Sequence, residues 1–180
     1  MPEVTAIFWD VGGVILSNGW DRPARALAAE KFGLDWEELQ DRHDLASPAF
    51  ETGKISLDTY LQRTVFYRKR PFTREEFINF IFAQSEEFPE SRAVLSSVAA
   101  TGGYFLATIN NEPLELNERR IEEFHLRREF KAFFSSCYLG IRKPDEGIYK
   151  IALEVTQRQP EECLFIDDRE LNLELSLIHI

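Results

Sequence analysis

The chain has 180 residues, 44% hydrophobic and 29% charged, with a formal net charge of −10. This length suits one α/β domain or one domain with a modest insertion, and it can bury a core without disulfides or metals. The acidic balance excludes the clustered positive charge of a nucleic-acid surface, and no apolar run approaches the roughly 20 residues of a membrane span.

In chain order, Val4 to Trp9 (VTAIFW) is an apolar run closed by Asp10 and followed by Val11-Gly12-Gly13. Such a run suits a buried parallel strand whose C-terminal end opens into a ligand site. From about Asp21 to Phe88 apolar residues recur at three- and four-residue spacing, as at Ala26, Ala29 and Phe32 and again at Phe77, Phe80 and Ile81. Ser56 reads as a helix cap, and Thr73 with Glu76 forms a capping-box pattern. Gly53 and Pro71 mark turns. This stretch predicts several amphipathic helices and no strand. Alternation then resumes: a helix over Ala93 to Ala100, a strand over Tyr104 to Ile109, a helix over Glu115 to Phe124 and a short strand over Phe133 to Tyr138. A helix over Pro144 to Thr156 and a strand over Cys163 to Ile166, ending in Asp167-Asp168, complete the pattern. The fold class is therefore α/β, a Rossmann-like parallel sheet with an all-helical insertion after the first strand. After Asp168 there is room for one helix of two or three turns, with an unusually apolar end at Leu175 to Ile180.

Four features stand at the predicted strand ends. Asp10 is a candidate nucleophile or metal ligand, with glycines behind it that let a ligand approach. Thr108 with Asn110 and Asn111 offers donors to an oxyanion. Lys143, before Pro144 and a helix start, puts a positive charge where the helix dipole already favours an anion. Asp167-Asp168 is an adjacent acid pair whose repulsion a hard cation would relieve. Taken singly, each also reads as a turn cap, an Asx-rich turn, an exposed lysine or a surface turn. Together, in the order nucleophile, hydroxyl, lysine, acid pair, they supply what one phosphoryl-transfer site needs.

This arrangement resembles the haloacid dehalogenase-like hydrolases over nearly the whole chain. Asp10-Val11-Gly12-Gly13-Val14 is similar to the first motif of that superfamily, and Thr108, Lys143 and Asp167-Asp168 to the second, third and fourth. The strongest local match, Gly140 to Tyr149 (GIRKPDEGIY), resembles the branch with a helical cap after the first strand. The resemblance implies an α/β core of residues 1–15 and 91–180 and a cap of residues 16–90. It also implies a phosphatase of small phosphorylated metabolites in which Asp10 attacks phosphorus and forms an aspartyl-phosphate. Mg2+ would be held by Asp10, the backbone carbonyl of Gly12 and Asp168, with Asp167 in support. Thr108 and Lys143 would hold phosphoryl oxygens, Lys143 would also orient Asp10, and Asn110 would line the site.

Two departures from the family pattern carry consequences. Gly12 stands where most of its phosphatases have a second Asp that acts as general acid and base, a role worth roughly 100- to 10,000-fold. The segment after the acid pair is short of a further strand, which leaves a sheet edge for a second copy of the chain to cover. Two other functions compete: a 2-haloacid dehalogenase, which uses the same kind of Asp without metal and usually lacks the acid pair, and a catalytically weak, phosphate-binding or structural member. His43, His125 and His179 have no ligand spacing and read as non-catalytic. Arg68-Lys69-Arg70 reads as a solvated turn, Trp20 as a residue at the entry to the insertion, and Cys137 and Cys163 as free buried thiols. Met1 to Ala6 carry no basic segment leading into an apolar one, so a cytoplasmic protein is expected.

Overall fold

The computed structural model describes residues 3–179. Four strands form one parallel sheet in the order β3-β2-β1-β4. β1 (Ala6–Trp9) lies between β2 (Phe105–Asn110) and β4 (Cys163–Ile166), and β3 (Ala132–Ser135) pairs with the far side of β2. All four residues of β1 are buried. Ile7 and Trp9 pack with Leu95, Leu106 and Ile121 on one face, and Ala6 and Phe8 pack with Ala107, Ile109, Ile148 and Tyr149 on the other. A strand covered on both faces has no side left for polar residues, which is why its sequence is a continuous apolar run. β4 is less covered, and Leu164 is 47% exposed on it.

Between β1 and the second half of the sheet lie α1 (Arg22–Phe32), α2 (Trp36–Glu51), α3 (Leu57–Thr64) and α4 (Arg74–Phe82). Each starts on a side-chain cap: Asp21, Asp35, Ser56 and Thr73 accept hydrogen bonds from backbone amides of the first turn, and Thr73 with Glu76 makes the full capping box. These helices enclose their own hydrophobic cluster, including Trp20, Phe50, Tyr60 and Phe77, joined by Leu116 from beyond β2. Phe77 is fully buried, with the rings of Phe32 and Trp20 at 4.8 and 5.8 Å. The chain enters and leaves the insertion along one seam: Ser17 N donates to Glu86 O at 2.8 Å, and Phe88 N to Ile15 O at 2.9 Å. Gly53 seats the insertion against the rest of the chain. Its φ is +68°, and a Cβ there would lie 2.3 Å from the Cys137 carbonyl oxygen, so only glycine fits.

The remaining helices are α5 (Pro89–Ala100), α6 (Leu114–Glu123), α7 (Ser136–Leu139), α8 (Glu146–Thr156) and α9 (Glu170–His179). The predicted α/β class and the all-helical insertion match this architecture. One element differs: the strand expected over Phe133 to Tyr138 ends at Ser135, and Ser136 to Leu139 form a helical turn. The reason is polar. Ser135 Oγ donates to Asn110 Oδ1 at 2.9 Å, and Ser136 Oγ accepts from Glu112 N and donates to Glu51 O, so both serines turn inward and the ladder stops at the Asn110–Ser135 pair. The apolar side chains of Leu175 and Leu177 to Ile180 lie outside the described residues. Cys137 and Cys163 are free and half-buried. Among the described residues no helix is long and apolar enough to cross a membrane.

Phe77→Ala empties the centre of the ring cluster and is expected to destabilise the protein by about 3–5 kcal/mol, read from chemical denaturation. A denaturation midpoint equal to the wild type would show that this cluster does not hold the insertion together.

Candidate active site

Strand register creates the site. Trp9 pairs with Ile166 across β1 and β4, so the next residues, Asp10 and Asp167, leave the sheet side by side. Asp10 N donates to Ile166 O at 2.7 Å and extends the ladder by one bond. Lys143 arrives from the loop between α7 and α8. Its backbone is held at both ends by one side chain: Lys143 N donates to Asn111 Oδ1 and Asn111 Nδ2 donates to Lys143 O, each at 2.8 Å.

The Lys143 ammonium then lies 3.0 Å from Asp10 Oδ2 and 2.6 Å from Asp167 Oδ2, with its side chain 1% exposed. An ammonium has three donors, so one is left for a ligand. Asp167 is fully engaged. Besides Lys143 it accepts from Arg169 N at 2.8 Å and from Asn172 Nδ2 at 3.0 Å to each oxygen. Asp10 Oδ1 accepts from Val11 N at 2.8 Å. Burial pushes the Asp10 carboxyl up to about 6; the Lys143 charge opposes this rise and the Asp167 charge adds to it.

Asp168 completes the cluster. Asp10, Asp167 and Asp168 each offer a carboxylate oxygen, and these oxygens lie within 4.8 Å of one another. Gly13 makes the approach of Asp168 possible: its φ is +77°, and a Cβ would lie 2.2 Å from Asp168 Oδ2. Three carboxylates against one ammonium leave two negative charges in a small volume. An all-oxygen donor set of this charge fits a hard divalent cation. Gly12 lines the same cavity.

Of the residues expected from the sequence, the structure brings Asp10, Gly12, Lys143, Asp167 and Asp168 together. It does not bring Thr108 and Asn110 to the cavity. Thr108 is fully buried and its Oγ1 donates to Asn110 Oδ1 at 3.3 Å, while Asn110 Nδ2 donates to Asn117 Oδ1 at 3.0 Å. β2 runs one residue further than expected, to Asn110. Thr108 therefore sits one step inside the sheet, on the same face as Asn110, in a polar network beneath the site. Their neighbour Asn111 lines the cavity.

The cavity has a volume of about 460 Å³ and is also walled by residues of the insertion, among them Trp20, Arg25, His43 and Phe50. Nothing in their spacing marked them out. Glu112 lines it too and is paired with the fully buried Arg120 at 2.7 Å. Arg120 also donates to the Ser17 carbonyl, tying α6 to the entry of the insertion. Arg68, Lys69 and Arg70 do not line the cavity: Arg68 pairs with Glu38, and Arg70 donates to Val65 O.

Because Asp10 takes a proton as the pH falls through about 6, a cation bound there must displace that proton. The affinity of the metal-free protein for Mg2+, measured by calorimetry, is expected to be constant above neutrality and to fall by about tenfold per pH unit below the Asp10 pKa. An affinity that does not weaken on acidification would contradict a cation held by Asp10.

Comparison with known proteins agrees with this geometry. The family model of haloacid dehalogenase-like hydrolases matches residues 4–174. The chain is 26% identical over 147 residues to flavin mononucleotide hydrolase 1 of Arabidopsis thaliana, covering 81% of this chain and 59% of that protein. It is 30% identical over 92 residues to acyl-CoA dehydrogenase family member 10 of Mus musculus, covering 51% of this chain and 8% of that one. The chain thus spans less than two thirds of either relative. Among solved structures, an HAD family enzyme of Bacteroides thetaiotaomicron superposes with a TM-score of 0.82 at 16% identity, over 99% of this chain and 91% of that one. The same enzyme in complex with magnesium and inorganic phosphate superposes with a TM-score of 0.81 at 16% identity, over 98% and 90%. L-2-haloacid dehalogenase of Xanthobacter autotrophicus gives 0.67 at 12% identity, over 98% and 74%. By the match over residues 4–174, with its strand-end acids and buried lysine in place, this chain belongs to the haloacid dehalogenase-like hydrolases.

Proposed function

We propose that the chain is a Mg2+-dependent phosphatase that hydrolyses small phosphomonoesters through an aspartyl-phosphate on Asp10. The observation that carries this reading is the Lys143 ammonium held between Asp10 and Asp167, with Asp168 completing a three-carboxylate cluster. A dehalogenase has no use for that much negative charge, since its substrate is itself a carboxylate. The flavin mononucleotide hydrolase of Arabidopsis and the magnesium and phosphate complex of the Bacteroides enzyme support the same choice.

In this reading residues 1–15 and 91–180 are the catalytic core, and residues 16–90 are the cap that closes the cavity against water. Asp10, the Gly12 backbone and Asp168 would hold Mg2+, with Asp167 in support. The bound ion supplies charge neutralisation of the phosphoryl oxygens. Lys143 orients Asp10 through its 3.0 Å contact and turns its remaining N–H toward a non-bridging oxygen of the substrate. A carboxylate oxygen of Asp10 attacks phosphorus, and the bond from phosphorus to the ester oxygen breaks, with its electron pair leaving on the alkoxide. Water then attacks the same phosphorus, releasing inorganic phosphate and restoring the Asp10 carboxylate.

Gly12 has no proton to give the departing alkoxide. A Cβ at this position would lie 2.9 Å from Asn18 Oδ1, so Asn18 occupies the space where an acid would stand. The alkoxide must take its proton from solvent, and esters of acidic alcohols are favoured.

Two measurements test this. Phosphate release by the wild type is expected to require Mg2+ and to fall to background in Asp10→Asn; release that survives the substitution would exclude Asp10 as nucleophile. Across a series of esters, kcat/KM is expected to climb steeply as the leaving group becomes more acidic, with aryl phosphates ahead of alkyl phosphates by roughly 100- to 10,000-fold. Equal rates for aryl and alkyl esters would mean that another residue of the cavity donates the proton.

A further inference from the structure

The cavity has a second polar end, in the helical insertion. Arg25 on α1 and His43 on α2 are 7% and 9% exposed, and both line the cavity that also contains Asp10 and Lys143. Buried polar groups are normally satisfied, and most of each of these two is. Arg25 Nε donates to Gln40 Oε1 and Arg25 Nη1 donates to Trp20 O, both at 2.8 Å. These two bonds fix the plane of the guanidinium. Arg25 Nη2 has no acceptor among the described residues.

His43 follows from donor accounting. The Trp20 indole can only donate, and its Nε1 gives its proton to Tyr60 Oη at 2.8 Å. The Tyr60 hydroxyl, itself fully buried, therefore directs its own proton to the atom 2.7 Å away, His43 Nδ1. That leaves the imidazole proton on Nε2, which has no acceptor among the described residues. Burial and the neighbouring Arg25 charge hold the ring neutral, with its pKa pushed down to about 4. The tautomer is thus set by a chain of three side chains, none of which touches the strand-end acids.

Two residues that line one cavity thus each keep a donor with no acceptor among the described residues. Asp21, Asp44 and Glu51 lie near enough to act on the Arg25 charge without a hydrogen bond to its Nη2; of these, Asp21 Oδ1 accepts from Ala24 N as the cap of α1, and Glu51 is paired with Arg142 at 2.6 Å. The charge of the lining is also unlike that of the chain. Five basic residues line the cavity against four acidic ones, or six with Asp167 and Asp168 beside Asp10, a near-neutral balance although the whole protein carries −10. Between the two polar ends stand Trp20 and Phe50, an apolar wall for a short carbon skeleton.

We infer that the substrate is a compact phosphomonoester whose other end carries a second oxyanion, a carboxylate or another phosphate, held by Arg25 Nη2 and His43 Nε2. A guanidinium edge beside an imidazole N–H offers only donors, and an oxyanion offers only acceptors, in the strongest kind of hydrogen bond available to either. The Asp10 site would fix the phosphate to be cleaved, and the Arg25–His43 pair would fix the length and charge of the remainder. This assignment rests on the phosphatase reading of Asp10.

The test uses three esters on the same three-carbon chain: propyl phosphate, 3-(phosphonooxy)propanoate and propane-1,3-diyl bisphosphate. Phosphate release is measured with Mg2+ for the wild type and for Arg25→Met. In the wild type, kcat/KM for at least one of the charged esters is expected to exceed that for propyl phosphate by about 10- to 100-fold. Which of the two gains identifies the oxyanion. The ratio of charged to uncharged ester should fall close to one in Arg25→Met; if that variant does not fold, by circular dichroism, Arg25→Lys is read the same way, because it keeps the charge but loses the guanidinium fork. Turnover of propyl phosphate with no gain for either charged ester would overturn this inference and leave the phosphatase reading standing. A gain that persists in a folded Arg25 variant would overturn it as well. No release from any of the three by enzyme that hydrolyses phenyl phosphate would overturn this inference alone, and no release from phenyl phosphate either would overturn both.

Discussion

A lysine ammonium 1% exposed to solvent is tolerable only where carboxylates replace the water it has lost. Lys143 has two, at 3.0 and 2.6 Å, and much of the structure serves to place those three charges. Parallel pairing of β1 with β4 puts Asp10 beside Asp167. Asn111 grips the Lys143 backbone on both its N–H and its C=O. Asn172 and the Arg169 amide occupy the remaining acceptor capacity of Asp167. With Asp167 saturated in this way, Asp10 and Asp168 are left as the carboxylates with capacity for a cation or a substrate. The division between supporting and reacting acids thus follows from hydrogen-bond accounting.

The insertion adds a wall to a site that the sheet builds. Its helices hold together through their own aromatic cluster around Phe77. They meet the rest of the chain at the paired seam of Ser17 and Phe88, at Leu116, at the glycine contact of Gly53, at Glu51 with Ser136 and Arg142, at Leu57 with Glu115, and at the buried Arg120, which binds both Glu112 and the Ser17 carbonyl. Arg120 thereby ties α6 to the entry of the insertion, beside Gly12, where a Cβ would lie 3.7 Å from its Nη1. Arg25 and His43 belong to the insertion and line the same cavity as Asp10.

Much of this was legible in the sequence where local patterns report global position. VTAIFW before Asp10 reads as a strand because a central parallel strand buries both faces, and CLFI before Asp167, although at the sheet edge, shares with it an apolar run that ends in acids where ligands bind. The capping box at Thr73 and Glu76 read correctly because a cap is a contact between near neighbours. β2 runs to Asn110, one residue past the end of the apolar run, because strand length cannot be judged to one residue from apolarity. Ser136 ends the strand that the apolar run suggests because its side chain satisfies a distant partner, the Glu51 carbonyl, that spacing does not reveal. Arg25 and His43 were invisible for the same reason: the packing of α1 against α2, with Tyr60 between Trp20 and His43, brings them to the cavity.

The central claim is that Asp10 becomes covalently phosphorylated. The most direct measurement is borohydride reduction of acid-quenched enzyme during steady-state turnover of a phosphomonoester with Mg2+, followed by mass spectrometry of the peptide that contains Asp10. An acyl phosphate is reduced and a free carboxylate is not, so the account predicts conversion of Asp10 to homoserine only when substrate and Mg2+ are both present. Continued phosphate release with Asp10 unreduced, or reduction at a different carboxylate, would contradict it.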